Sequence, residues 1–501
     1  MHFGGRAATG AAVVVAALSG AVIVYATRHD PVLSPDSISY LSAAALFRSG
    51  RGLTEFSGQP LTVFGPLFPL LLSAGGRNLQ WARVVGAACI VGATWLMFIL
   101  LRSRVRPWVA VAGAAAFALS PGLVYIGSTV WSENPYIVIS LAALAVLTLR
   151  PLTERTAALG GLLCALGFLT RYAGVGLIAA GAVCVLAAAQ QLGLERRRSL
   201  RLLTIHLATS FAVCSVWILR NLAQTGEALG PRFSGGSPES IGQLTNRVTS
   251  GVGALVFGNT ASKGATHNGG TVITVLLAAA IVITMIAGTR RVLDFGMAAF
   301  ALTSLALPAL ARHFTASDIE FRVMSPSLIP IVYFAAVMLE RIRWRAVIIA
   351  LAVAVVGWSA YEGVAVADRL PDVVAIAAGS RTQTSKALFD LIDTLPADAH
   401  VLTNSPQRVW WQSDRNPTLF AFVRPRAGNS NYPLSVADTL RYACLPHTYL
   451  AWFGTLANAG DGPADRRPDL AEVIDLTVAQ SVTGGVLYTL SAHDSAQCAA
   501  R

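Results

Sequence analysis

Apolar runs long enough to cross a bilayer recur along the first 361 residues of this chain. Spanning the hydrocarbon core takes roughly 20 apolar residues at 1.5 Å each. Eleven runs come near that length, at 8–26, 82–101, 108–126, 134–149, 156–170, 172–190, 203–219, 271–288, 292–311, 323–340 and 346–361. Several are short, and almost no acids fall inside them. Charged residues make up 13% of the 501 and hydrophobic ones 54%, and a soluble domain carries about 25% charge. The pattern predicts an α-helical polytopic membrane protein with about 11 transmembrane helices.

The arginines orient it. Arg102, Arg104 and Arg106 share one short loop, Arg150 and Arg155 the next but one, then Arg196, Arg197, Arg198 and Arg201, then Arg290 and Arg291, then Arg341, Arg343 and Arg345. Every second loop is basic, as cytoplasmic loops are. The formal charge of +12, with only two lysines (Lys263 and Lys386), therefore reports topology and not nucleic-acid binding. Heavy use of Ala, Val and Arg points to a GC-rich bacterial genome, hence the bacterial inner membrane. The first run follows Arg6 but lacks a convincing cleavage site, so it reads as an anchor. The N-terminus is then cytoplasmic. The outward segments are 27–81, 127–133, a turn at 171, 220–270, 312–322 and everything after 361.

Residues 1–361 thus form a transmembrane domain and 362–501 a separate extracytoplasmic one. In the tail, helical spacing over 383–395 (Leu388, Leu391, Ile392, Leu395) precedes strand-like runs at 400–403, 418–423, 448–453 and 485–490. Helical patterns lie near 435–444 and 470–480. This alternation predicts a small α/β domain. The Gly-rich segment 250–270 reads as a mobile loop. Cys89, Cys164, Cys184 and Cys214 lie inside apolar runs as small buried hydrophobes. Cys444 and Cys498 lie in the tail, where an oxidising compartment permits a bond that spacing alone does not establish.

Acids and arginines gather on the outward side. Asp36, Glu133, Asp318 and Glu320 share that face with Arg171, Arg220, Arg232 and Arg322. An anionic membrane lipid explains such a gathering, because a polyprenyl tail cannot leave the bilayer and presents its phosphate at headgroup depth. Asp36 stands in Asp36-Ser37-Ile38-Ser39-Tyr40. The apolar stretch 41–47 reads as a helix lying along the interface. Gly50-Arg51-Gly52 follows, then Phe64-Gly65-Pro66-Leu67-Phe68-Pro69-Leu70-Leu71.

This stretch resembles the first outer loop of GT-C glycosyltransferases, in the branch that includes protein mannosyltransferases and the enzyme adding aminoarabinose to lipid A. Those proteins carry an aspartate after the first span, a tyrosine and small residues on a juxtamembrane helix, Gly-x-Gly, and a Pro-x-x-Pro-Leu-Leu lead into the second span. Asp36, Tyr40, Gly50, Gly52, Pro66 and Pro69 fill those places. Trp131-Ser132-Glu133-Asn134 is similar to the Ser-Glu turn of the second outer loop. Leu169-Thr170-Arg171-Tyr172, Trp217-x-x-Arg220-Asn221 and Asp318-x-Glu320-Phe321-Arg322-x-x-x-Pro326 resemble further family segments. The resemblance covers roughly residues 1–340. Each motif is loose, and the weight rests on their order and common side.

What the resemblance implies is an inverting transfer of sugar from a polyprenyl-phosphate donor to an extracytoplasmic glycan, lipid or protein, with Asp36 as general base. The departing phosphate needs its charge stabilised, which a guanidinium does with two parallel hydrogen bonds. Arg322 is the first candidate, Arg220 the second and Arg171 the third. The alternative for Arg220 and Arg171 is snorkelling to headgroups. Glu133 orients the acceptor or pairs an arginine, Tyr40 positions substrate, and Asp318 and Glu320 hold Arg322. Metal-using relatives pair acids in the first outer loop, whereas Ser37 follows Asp36 here, so no metal or other cofactor is assigned. His313 reads as a solvated interface residue, and Trp410-Trp411 as packing inside the tail. The competing class is a transporter or flippase for a lipid-linked or anionic substrate, which places ionisable groups or broken helices near the midplane.

Overall fold

A computed structural model of the chain describes residues 2–230, 239–258, 263–287, 290–314, 319–376, 383–413, 415–420, 434–454, 462–463, 467–470, 472–494 and 498. Its helices are α1 (His2–Ala26), α2 (Pro35–Arg48), α3 (Leu67–Ser73), α4 (Leu79–Arg102), α5 (Pro107–Ala118), α6 (Pro121–Gly127), α7 (Glu133–Leu149), α8 (Glu154–Thr170), α9 (Val175–Gln191) and α10 (Arg196–Thr225). They continue with α11 (Ile241–Phe257), α12 (Lys263–Ala287), α13 (Val292–Phe314), α14 (Phe321–Met324), α15 (Leu328–Arg341), α16 (Arg345–Ile376), α17 (Gln383–Thr394), α18 (Pro406–Ser413) and α19 (Val436–Ala443). The strands are β1 (His400–Thr403), β2 (Thr418–Leu419), β3 (Thr448–Phe453), β4 (Ile474–Val482) and β5 (Gly485–Ala492). Two compact units result. One holds Met1–Pro31 with Thr62–Pro371, the other Val32–Leu61 with Asp372–Arg501.

In the first unit every expected span falls on helix. Among the described residues, eight helices are long and apolar enough to cross a membrane, or nine if α5 and α6, bent by 58°, make one span. The bend has a local cause: Pro121 at the start of α6 has no N–H to continue α5, and Ser120 caps the new helix by accepting from the Leu123 N–H. The runs expected at 134–149 and 156–170 are the 17-residue helices α7 and α8, shorter than a full crossing. A count of eleven is thus not confirmed, while the multi-pass membrane character is.

The Gly-rich segment 250–270 is not a loop where it is described. It forms the end of α11 and the start of α12. A side chain on Gly253 would stand 1.8 Å from the Thr266 carbonyl oxygen, and one on Gly270 1.7 Å from that of Thr249. The glycines let two helix backbones touch, and loop flexibility is the wrong reading of them. At the other ends of the bundle, the buried Asp294 of α13 accepts from Tyr333 Oη (2.6 Å) and Arg104 Nε (3.1 Å). It also accepts from the Arg291 N–H (2.9 Å). One carboxylate thereby ties α13 to α15 and to the turn after α4.

In the second unit the strand order is β2-β1-β3-β5-β4, with β2, β1 and β3 parallel and β3, β5 and β4 antiparallel. Leu402, Leu450, Trp452, Val486, Tyr488 and Leu490 pack on one face, and Val401, Ala451, Phe453 and Leu487 on the other against Leu388, Phe389 and Ile392 of α17. With both faces covered, the inner strands are mostly apolar, as in Val401–Leu402, Leu450–Phe453 and Val486–Tyr488. The helical pattern expected at 470–480 is a strand instead: β4 pairs along β5, and the alternation Ile474, Leu476, Val478 fits that pairing. The segment 418–423 is strand at Thr418–Leu419, and residues 421–423 lie outside the described residues. A disulfide joins Cys444 to Cys498, with Cα atoms 5.5 Å apart. The other four cysteines are unbonded thiols, three of them buried.

Residues 32–61 make the second unit's other half. Ser34 caps α2 in a capping box with Ser37, and Pro35 takes the first helical position, where a missing N–H costs nothing. Residues Ser37–Ala44 are all buried. The end of the helix is open: Ala45 and Leu46 are partly buried, and Phe47 and Arg48 are exposed.

Candidate active site

Within the first unit, Glu133 opens α7 and is 1% exposed. Its carboxylate forms an ion pair with Arg171, whose Nη1 also donates to Ser132 Oγ at 3.4 Å. A carboxylate this buried needs such a partner, because desolvation otherwise drives it neutral. Arg171 reaches it because the chain turns extended after α8 (φ −148°, ψ 135°) before the 3-10 turn Tyr172–Gly174. Arg171 is therefore held by protein, not snorkelling.

The neighbouring Tyr172 is the hub that residue patterns alone did not reveal. Its hydroxyl donates to the Thr62 carbonyl and accepts from Trp217 Nε1 and Asn221 Nδ2, each at 3.0 Å. Gly65 explains how the 62–66 segment gets so close: a Cβ there would lie 2.1 Å from the Leu169 carbonyl oxygen. Any other residue would push the loop off the end of α8. Arg220, one turn along α10 from Trp217, lays its guanidinium over that indole at 4.4 Å and donates to Asn221 Oδ1 at 3.2 Å. The stack fixes a cation that would otherwise sample many rotamers.

Arg322 lies in the first turn of α14. Its guanidinium stands 5.0 Å over the Trp131 ring, and Nε is 3.5 Å from Glu320 Oε2. Trp131 packs in turn against Tyr125 and Phe321. The three residues Trp131-Ser132-Glu133 thus receive Arg322 on the first and Arg171 on the second and third. Asn134 completes this turn by donating to the Ile126 and Thr129 carbonyls at 3.0 and 3.1 Å. Asp318 and Arg232 lie outside the described residues, as does the side chain of His313.

In the second unit, Asp36 sits partly buried in the first turn of α2. Tyr40, one turn on, is 3% exposed. Gly50 and Gly52 reverse the chain after α2 with φ of +80° and +74°. A second acid missed in the sequence, Glu55, is fully buried and accepts from Ser39 Oγ at 3.2 Å. Trp410, also buried, stacks on Phe56 at 5.7 Å and packs with Ile38 and Trp411. Its ring packs against the 32–61 segment, whereas packing inside the tail was expected. No group of three or more His, Cys, Asp or Glu fit to hold a metal occurs among the described residues.

No family model and no curated protein matches this chain. Solved structures do. The chain superposes on ArnT from Cupriavidus metallidurans bound to undecaprenyl phosphate with a TM-score of 0.63 at 12% identity, covering 96% of this chain and 98% of that one. It matches the oligosaccharyltransferase AglB of Archaeoglobus fulgidus, in complex with an inhibitory peptide and a dolichol-phosphate, with a TM-score of 0.55 at 12% identity, over 95% of this chain and 74% of that one. The mycobacterial arabinofuranosyltransferase AftD gives 0.53 at 16% identity, over 96% of this chain and 42% of that one. The fold is that of the GT-C glycosyltransferases.

Proposed function

We propose that this protein is a glycosyltransferase of the bacterial inner membrane, moving a sugar from a polyprenyl-phosphate donor to an extracytoplasmic glycan, lipid or protein. The observation that carries this reading is the end-to-end agreement of fold with a protein bound to undecaprenyl phosphate, over 96% of one chain and 98% of the other. Three outward arginines, two of them braced by indole rings, suit the phosphate of such a lipid. The Cys444–Cys498 bond supports an oxidising compartment for the tail, and the basic loops support a cytoplasmic N-terminus.

In the reaction, the acceptor hydroxyl oxygen attacks the anomeric carbon while Asp36 takes its proton, and the bond from that carbon to the phosphate oxygen breaks. The electron pair leaves with polyprenyl phosphate, and the anomeric configuration inverts. An aspartate is a weak base, so the proton moves late, as the hydroxyl acidifies on bonding to carbon. Arg322, with Arg220 and Arg171, holds the phosphate as its charge grows. Glu133 fixes Arg171, Glu320 fixes Arg322, and Tyr40 lines the acceptor side. Asp318 belongs to the same group by its spacing.

Purified protein in lipid nanodiscs, given a panel of polyprenyl-phosphate sugars and acceptors, tests the reading. Transfer from one donor class with inversion is expected, and Asp36→Asn should lower turnover at least ~100-fold. Turnover within a few-fold of the parent in that variant would remove Asp36 as base. Neither transfer nor hydrolysis of any donor would remove the donor class.

A further inference from the structure

Within the second unit, the helix that carries Asp36 packs against the tail. Ile38, two residues beyond Asp36, is fully buried in a cluster with Phe56, Trp410 and Trp411. Phe56 and Trp410 stack at 5.7 Å with their planes 29° apart. Phe56 belongs to the hairpin around Glu55, which is pinned to α2 twice: Ser39 Oγ donates to Glu55 Oε2 (3.2 Å), and the Phe56 N–H donates to Ser42 Oγ (3.4 Å). The hairpin is itself closed by the Glu55 N–H to the Gln59 carbonyl (2.8 Å) and the Leu61 N–H to the Leu53 carbonyl (3.0 Å). On the far side, α18 is anchored in the sheet. Val409 packs with Phe453 and Leu487, and Asn404, just before α18, exchanges two hydrogen bonds with the Phe453 backbone (2.8 and 2.9 Å). A continuous path of packing and hydrogen bonds thus runs from β3 through α18 and Phe56 to the turn that carries Asp36.

We infer that α18 of the tail is a positioning element for the candidate base, with Trp410 as its principal positioning residue. The inference rests on the assignment of Asp36 above. A base must meet its proton within hydrogen-bond reach, and a displacement near 1 Å costs about 100-fold in rate. A short helix joined to its span by a loop does not hold that tolerance alone. Trp410 touches no reacting atom in this scheme. Its ring sets where α2 sits.

The test compares Trp410→Ala and Trp410→Phe with the parent in nanodiscs, by steady-state kinetics and by hydrogen exchange of peptides covering 35–61. Mass mapping of the Cys444–Cys498 bond checks that the tail still folds. Trp410→Ala is expected to raise exchange across α2 and the hairpin about tenfold or more, to lower kcat about 100-fold, and to leave donor KM within about twofold. Trp410→Phe keeps a ring on Phe56 and should restore most of kcat and of the protection. Unchanged exchange at 35–61 in Trp410→Ala overturns the inference, and so does raised exchange with unchanged kcat. If Trp410→Ala loses the disulfide and the fold, Phe56→Leu, which removes the stack from the other side, must give the same split of kcat from KM, or the inference fails. Asp36→Asn run alongside separates the two ideas. Full turnover there defeats the base assignment, whereas loss there with no kcat effect at Trp410 defeats only the positioning role.

Discussion

Arg322 and Arg171 differ in what surrounds them, and the difference sets what each substitution does. Arg322 rests on a ring and beside Glu320, which is half exposed, so truncating it strands no buried charge. Arg322→Ala should weaken donor binding and turnover together, and Arg322→Lys should restore only part, because an ammonium cannot grip phosphate with a planar fork. Donor titration and kcat on the two variants check this. Normal values in Arg322→Ala would move the phosphate role to Arg220 or Arg171. Arg171 is different, since its loss removes the ion-pair partner of an almost wholly enclosed carboxyl group, Glu133. Arg171→Ala alone should cost about 3–5 kcal/mol of stability, read as a fall in the thermal midpoint. The double change Arg171→Met with Glu133→Gln should return most of that stability while transfer stays low. Recovery of both would make the pair a purely structural one.

Among the elements, α11 and α13 meet through one acid. Glu239 accepts from Arg312 Nη2 at 2.7 Å and Nε at 3.1 Å, and from Arg247 Nε at 2.9 Å. The Arg312 bond above all holds its carboxyl below the ordinary glutamate value; burial opposes it, and Arg247 adds to the lowering. A carboxylate with a depressed folded pKa adds stability that is complete above its unfolded pKa of about 4.3 and lost as pH falls through the folded value. The gap in thermal midpoint between the parent and Glu239→Gln should therefore stay constant from about pH 8 to pH 5 and close below about pH 4. A gap that instead closed on the alkaline side would refute the clamp. Elements also show where sequence reading succeeds. Long apolar runs became helices because lipid leaves the backbone no other partner. The same reading failed at 470–480, where pairing with β5 outweighed local spacing, and at 250–270, where glycine serves helix contact. Tyr172 and Glu55 were out of reach for a related reason: one acts through partners from two distant segments, and the other is unusual only in its burial.

For the whole molecule, the disulfide is the most direct handle on sidedness. It closes a loop of 54 residues, which in the chain-entropy account stabilises the tail by about 4 kcal/mol. Cys444→Ser should therefore lower the tail's midpoint in denaturant, and non-reducing mass mapping of the parent should recover Cys444 joined to Cys498. A reporter active only outside the cytoplasm, fused after Arg501, should be on, and one fused after Arg198 off. A cytoplasmic C-terminus would mean an even number of spans and would overturn the extracytoplasmic placement of the tail. The broad fold was legible in the chain because it follows from solvent. The partition into units was not, because residues 32–61 belong with a tail encoded far downstream. That separation also has a meaning in time. Roughly 300 residues intervene, and at ~5–20 residues per second the ribosome needs about 15–60 s to make them. Throughout that interval the segment 32–61 exists without the helix it packs against, so a chain cut short before α18 lacks the aromatic cover over Ile38 and Phe56.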